Sequence, residues 1–287
     1  MGKYLYWILL LFSCSPNPGN SNTTPIQKKE QVKLSLQGLK EDIIAGVAVT
    51  LIQDFDSSVD VLGNILVLPG WDFERHRWLT ETGLRALAKE KHWRLILPEM
   101  HRSVYAPKYY PETTNAAANE KTGTWLTDTF IPAVQAKYEI LTSLEQNFVM
   151  GLSTGGRGAV YCLWKRPDLF SAAATLSGDF DPTLTPSDRL MTDVFGGYSR
   201  FKSRWGNDAN LLAMAPEIKK PLYIAHGYED QVVSATQSKV LFAALKSNNK
   251  KTELHLRAGA KHDFKFWDGE VNAVLYYFSS LAKSLKE

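Results

Sequence analysis

Asn147-Phe-Val-Met-Gly-Leu-Ser153-Thr-Gly-Gly-Arg-Gly158 decides the fold. An apolar run ends in G-x-S-x-G, and Ala159, Val160, Leu163 and Trp164 then recur at helical spacing up to the stop at Pro167. Strand, sharp turn and helix in that order make a nucleophile elbow, in which the backbone lifts a serine hydroxyl clear of its neighbours. Gly151 and Gly155 remove the side chains that would collide across such a turn. Ser153 is therefore the candidate nucleophile. The helix behind it points free N–H groups and its positive dipole end, led by the Thr154 amide, at the place where negative charge develops in acyl transfer. Without those flanking periods the same five residues would be a plain glycine-rich turn.

A serine of this kind needs a base, and the base needs an orienter, in the chain order serine, acid, histidine. The short apolar strand PLYIA at 221–225 runs into His226-Gly-Tyr-Glu-Asp230-Gln-Val-Val233. The turn beyond the carboxyl end of a parallel strand is where such sheets carry their reactive groups. Asp230 is the candidate acid; its bland alternative is a cap for a helix starting near Ser234, and Glu229 is a weaker substitute. The next alternating strand, 252–257, empties into Ala258-Gly-Ala-Lys-His262-Asp-Phe264, which makes His262 the candidate general base. His255 falls within that strand and reads as structural, while His226 is expected to pack beneath the Asp230 turn. The second oxyanion donor should follow an early strand, 64–68, and there Pro69-Gly70-Trp71-Asp72 offers the Trp71 amide beside that of Thr154. A plain strand-ending turn would use the same Pro-Gly pair.

LVLPGW, NFVMGLSTGGRGAVYCLWKRPDLFSAAATLSGDFDP, PLYIAHGYEDQVV and GAKHDFKFW together resemble the esterase family of α/β-hydrolases that includes S-formylglutathione hydrolase (esterase D), feruloyl esterases, enterochelin esterases and mycolyltransferases. The resemblance runs from Ile65 to the C-terminus. It implies the α/β-hydrolase fold, a mostly parallel central sheet with helices on both faces, and no cofactor. It places the triad on Ser153, Asp230 and His262 and the oxyanion amides on Trp71 and Thr154. Trp71 and Asp72 stand where typical S-formylglutathione hydrolases carry a cysteine, which argues against that substrate.

The 287 residues, 44% hydrophobic and 22% charged, suit one α/β domain, expected over 31–287. A net charge of +3, small for the length, argues against dedicated nucleic-acid binding. Lys3 precedes an apolar run, 4–12, that stops at Ser13-Cys14, so residues 1–14 read as a signal peptide. Leu-Phe-Ser-Cys14 is similar to a bacterial lipobox, which implies lipidation of Cys14 and a membrane-anchored protein facing the periplasm or the exterior. Simple secretion is the alternative. Residues 15–30, polar and rich in Pro, Asn and Ser, read as a flexible tether. Lipidation of Cys14 leaves Cys162 without an intrachain partner.

Strands are expected near 32–36, 47–52, 93–97 and 172–176, and helices over 77–89, 125–138, 211–215 and 268–283. Two long irregular segments, 100–122 and 178–207, leave strand ends on the catalytic side and should wall the substrate site. Tyr105, Tyr109 and Trp205 in these segments, with Trp71 and Trp267 bordering the catalytic turns, are suggested substrate contacts, against a competing role in loop self-packing. Asp54, Asp56 and Asp60 lack the glycine and closing glutamate of a calcium loop, and no metal is implied. The chain reads as a serine esterase acting through an acyl-enzyme on a small-acyl, aryl or sugar-linked ester outside the cytoplasm. An acyltransferase would use every one of these residues. A peptidase on this scaffold lacks any sign of a gating domain, and a glycan-binding surface lipoprotein would have no need of a complete triad.

Overall fold

The computed structural model describes residues 36–56, 58–111, 120–246 and 251–284, which fall in one compact unit spanning Leu34–Glu287. The leader, Cys14, the tether and all but Leu36 of the expected 32–36 strand lie outside the described residues. The first described strand, β1 (Gly38–Ile44), is joined to β2 (Val47–Gln53) through Ala45 and Gly46, both at positive φ. That is the backbone of a tight two-residue hairpin turn.

Along the chain follow β3 (Gly63–Leu68), α1 (Arg77–Thr80), α2 (Leu84–Glu90), β4 (Trp93–Pro98), α3 (Gly123–Trp125) and α4 (Ile131–Tyr138). Then come β5 (Asn147–Leu152), α5 (Thr154–Lys165), β6 (Ala172–Leu176), α6 (Arg189–Phe195) and α7 (Lys202–Gly206). β7 (Leu222–Gly227), α8 (Thr236–Lys246), β8 (Glu253–Arg257) and α9 (Phe264–Ser284) complete the order.

The eight strands form one sheet in the order β1-β2-β4-β3-β5-β6-β7-β8. β1 and β2 run antiparallel, as do β2 and β4; every later pair is parallel. This is the α/β-hydrolase architecture; its inner parallel strands β3 to β7 are buried throughout because helices cover both faces, and the edge strand β8 is partly exposed. Alternate residues go to opposite sides. Leu66, Leu68, Val149, Leu222 and Ile224 join a core with α4, α5 and α8, while Ile65, Val67, Phe148, Met150 and Tyr223 join one with α1, α2 and α9. Asn64 donates to Asn147 Oδ1 at 2.8 Å, a buried bond that locks β3 to β5 at the edge opposite the elbow.

Several boundaries differ from the sequence expectation for local reasons. The helix expected over 77–89 breaks into α1 and α2, because the Thr82 hydroxyl bonds back to Trp78 O and the Gly83 amide donates to Asp268 Oδ1 at 2.7 Å. Between α3 and α4 the backbone widens into a π turn, Leu126–Phe130, leading into Pro132 in the first turn of α4. α9 begins at Phe264, earlier than expected, because Asp263 caps it through the Phe266 amide at 2.9 Å. The 211–215 helix is a 3-10 stretch, Leu211–Glu217, capped by Asn210. The segment 178–207 holds α6, α7 and a 3-10 turn, and its Met191, Val194, Phe195 and Trp205 pack with Val104, Ala106 and Tyr110 of the 100–111 loop into a small core of their own.

Candidate active site

β3 to β8 all point the same way, and the ends of β3, β5, β6, β7 and β8 each deliver one part of the site. At the end of β5, Ser153 adopts φ 51° and ψ −125°, a conformation that costs a non-glycine residue about 1–3 kcal/mol. Its amide donates to Leu176 O of β6 at 2.8 Å, and its carbonyl accepts from Arg157 at 3.2 Å. The strained residue is thus gripped by the sheet on one side and α5 on the other. Added side chains are forbidden around it: a Cβ on Gly151 would lie 2.1 Å from Gly155 O, and one on Gly155 would lie 2.4 Å from Leu68 O.

That close approach sets the end of β3 against the start of α5. A Cβ on Gly70 would sit 3.2 Å from Ser153 Cβ, so the Pro69-Gly70-Trp71 turn lies beside the serine. Tyr105 Oη donates to Pro69 O at 2.9 Å and Trp78 Nε1 to Leu68 O at 3.1 Å. Asp72 N bonds His101 O at 2.9 Å and Phe73 N bonds Gly70 O at 3.2 Å, whereas the Trp71 and Thr154 amides bond to no other described residue. Thr154 directly follows the serine, and Trp71 directly follows the Gly70 that lies beside it, so both amides without a described partner belong to residues next to Ser153 or to its neighbour.

At the end of β7, the Asp230 side chain is fully buried. Its Oδ1 accepts from the Val232 and Val233 amides, each at 2.9 Å, and its Oδ2 accepts from His262 Nδ1 at 2.6 Å. Burial works against the charge on Asp230, but hydrogen bonds from His226, His262 and the Val233 amide outweigh it and hold the carboxyl well below the usual aspartate range. A carboxylate so placed only accepts, so the hydrogen of His262 sits on Nδ1 and the Nε2 lone pair is left for another proton. The histidine loop is tied to the acid turn by Tyr228 N to Arg257 O at 2.9 Å and Glu229 N to Ala260 O at 3.0 Å.

Ser153 Oγ makes no hydrogen bond to a described residue. The two halves of the site meet through β6: Trp267 Nε1 donates to Ser177 Oγ at 3.2 Å, and the indole stands edge-on to the His262 ring with centroids 5.1 Å apart. Ser177 directly follows Leu176, which holds Ser153.

The aromatics expected to touch substrate divide. Tyr109 is 52% exposed and Trp71 is partly exposed. Tyr105 and Trp267 are each 1% exposed and Trp205 is fully buried. These three are corrected to supporting roles: Tyr105 bonded to Pro69 O beneath the Pro69-Gly70-Trp71 turn, Trp267 edge-on to the His262 imidazole, and Trp205 bonded to Gly196 O at 2.7 Å inside the loop core. The residues next to each ring give no sign of which way it faces, whether it stands in a loop, as Tyr105 does, or in a helix, as Trp205 and Trp267 do. Cys162 is wholly buried and burial pushes its thiol upward, as an inert core residue requires.

The sequence reading passed over Asp179 and Arg157. Both have buried polar atoms without partners, Asp179 Oδ1 and Arg157 Nε, while Arg157 Nη1 donates to Asp179 O at 3.3 Å. Burial raises the Asp179 carboxyl, with Arg157 and His262 pulling the other way. Nothing in the LSGDFDP stretch marks it out, since its setting comes from α5 and the histidine loop.

A sequence model of the prolyl oligopeptidase family matches residues 109–283, which include all three triad candidates. The chain belongs to that family. It is a serine hydrolase. No curated protein sequence matches it. Among solved structures it is similar to FphF, a fluorophosphonate-binding serine hydrolase of Staphylococcus aureus, with TM-score 0.65 and 18% identity over 84% of this chain and 96% of that one. It is also similar to an S-formylglutathione hydrolase from Agrobacterium tumefaciens, with TM-score 0.65 and 14% identity over 87% and 97%. MPT51 (FbpC1) of Mycobacterium tuberculosis gives TM-score 0.66 and 12% identity over 85% and 98%. At these identities the likeness is one of fold, and it is the α/β-hydrolase fold to which the motifs pointed.

Proposed function

We propose that the protein is a carboxylic-ester hydrolase in which Ser153 attacks the ester carbonyl, His262 Nε2 takes the serine proton, and Asp230 holds the imidazole tautomer. The Trp71 and Thr154 amides bind the oxyanion. His262 then protonates the leaving alcohol, and a water deprotonated by the same nitrogen releases the acyl group. The observation that carries this reading is the 2.6 Å bond from His262 Nδ1 to the buried Asp230, on the same rim as the strained Ser153 elbow.

An ester with a small acyl group and an aryl or sugar alcohol suits a rim with Trp71 and Tyr109 partly exposed. Acyl transfer to a sugar hydroxyl in place of water would need no further residue. The family match favours a second reading, cleavage of a short peptide or amide by the same triad. Against it stands the near full-length likeness to S-formylglutathione hydrolase and to a ferulic acid esterase, which is covered over 97% of its length. Lys3, the 4–12 apolar run and Cys14 support an exported, lipid-anchored protein; Cys14→Ala would then release it from the membrane fraction.

A fluorophosphonate probe followed by a panel of aryl acetates, longer acyl esters, feruloyl esters and proline anilides tests the proposal. Labelling and aryl-ester hydrolysis that vanish in Ser153→Ala are expected. A folded wild-type protein that neither labels nor hydrolyses any ester would refute it, and turnover of anilides alone would establish the peptidase reading.

A further inference from the structure

Asp230 faces a second imidazole besides that of His262. His226 ends the buried run of β7 with a side chain of zero exposure, and its Nε2 lies 2.9 Å from Val233 O and 3.3 Å from Asp230 Oδ2. A carbonyl oxygen only accepts, so Nε2 carries a hydrogen, which it donates to the Val233 carbonyl while Asp230 Oδ2 stands 3.3 Å from the same nitrogen. On the other side of the ring, Nδ1 meets Ser238 Oγ of α8 at 2.7 Å, which stops the imidazole from turning.

His226 thereby grips the acid turn at both ends, at the Asp230 carboxylate and at the Val233 carbonyl, and anchors it to α8. Asp230 Oδ1 is already taken by two backbone amides. Oδ2 is the oxygen that must point at His262, and besides His262 itself the His226 imidazole stands beside it, Nε2 3.3 Å away. Space-filling under β7 would need only an apolar side chain; a buried imidazole with both nitrogens engaged does more than fill space.

We propose that His226 is a positioning residue for the reaction, its Nε2–H fixing the Asp230 carboxylate in the orientation that serves His262. This rests on the triad assigned under the proposed function. It touches no substrate and transfers no proton.

His226→Gln can keep an N–H near the Nε2 position, His226→Leu fills the space without one, and Ser238→Ala releases the ring. With an aryl acetate, His226→Leu is expected to lower kcat by roughly 10- to 100-fold with KM within about twofold, because a misplaced group slows the chemical step and leaves binding alone. His226→Gln should keep kcat within about threefold of wild type, and Ser238→Ala should fall between the two. A folded His226→Leu with wild-type kcat, or a Gln variant as impaired as the Leu variant, overturns the proposal. Should His226→Leu fail to fold, unchanged kcat in Ser238→Ala does the same. Ester hydrolysis that survives Ser153→Ala would instead sink the serine assignment itself, so the two failures are told apart.

Discussion

Gly155→Ala probes whether the contact between the elbow helix and the oxyanion turn sets the rate. The new methyl would lie 2.4 Å from Leu68 O and 2.5 Å from Pro69 O, where ordinary contact begins at about 3.4 Å. Both obstacles are backbone atoms, and both are pinned, Leu68 O by Trp78 and Pro69 O by Tyr105. Helix and turn must therefore separate by about 1 Å, since a close-packed interior has no void to absorb the methyl. Overpacking of this kind costs about 1–3 kcal/mol. In a chain of this size that lowers the melting temperature by roughly 2–10 °C. The same displacement spreads the Trp71 and Thr154 amides around Ser153, and an error of about 1 Å in such a site costs on the order of 10² in kcat. Thermal unfolding followed by circular dichroism and steady-state hydrolysis of an aryl acetate well below the melting temperature would measure the two effects separately. A folded variant that keeps more than about a third of the wild-type kcat would refute the argument that this contact shapes the oxyanion site.

Asp230→Asn should lower kcat by about 10³- to 10⁴-fold, since an amide in the acid's place no longer holds the His262 tautomer; kinetics within tenfold of wild type would show another group orienting the ring. Tyr105→Phe leaves the Pro69 carbonyl without its partner and should cost about 1–3 kcal/mol in chemical denaturation, whereas an unchanged midpoint would mean that the bond contributes nothing net. Asp230 also links stability to pH. Its carboxyl is depressed in the folded state, so its contribution is fully present above the unfolded value of about 3.9 and is lost as pH falls below it toward the folded one. The stability gap between wild type and Asp230→Asn should be constant above about pH 5 and narrow progressively as pH falls below about 4, and a gap that stays constant down to the lowest pH at which both variants fold would contradict the linkage.

Chain order alone exposed the elbow, the acid turn and the histidine loop, because each couples a period change to a turn residue within a dozen positions: an apolar run into Gly151-Leu-Ser153, PLYIA into Asp230, an alternating strand into His262. Local chemistry of that kind is written in neighbouring residues and needs no partner from elsewhere. What depended on distant segments was decided by the tertiary structure. Tyr105, Trp205 and Trp267 face inward because Pro69, Gly196 and Ser177 offer acceptors to their polar ends, and those acceptors lie 36, 9 and 90 positions away. The break between α1 and α2 needed Asp268 from α9, and the Asp179 setting needed Arg157. Which face a side chain turns to the core, and which buried polar atom finds a partner, is settled only when strands remote in sequence become neighbours in the sheet, since burial and hydrogen bonding belong to the packed molecule and not to the residue.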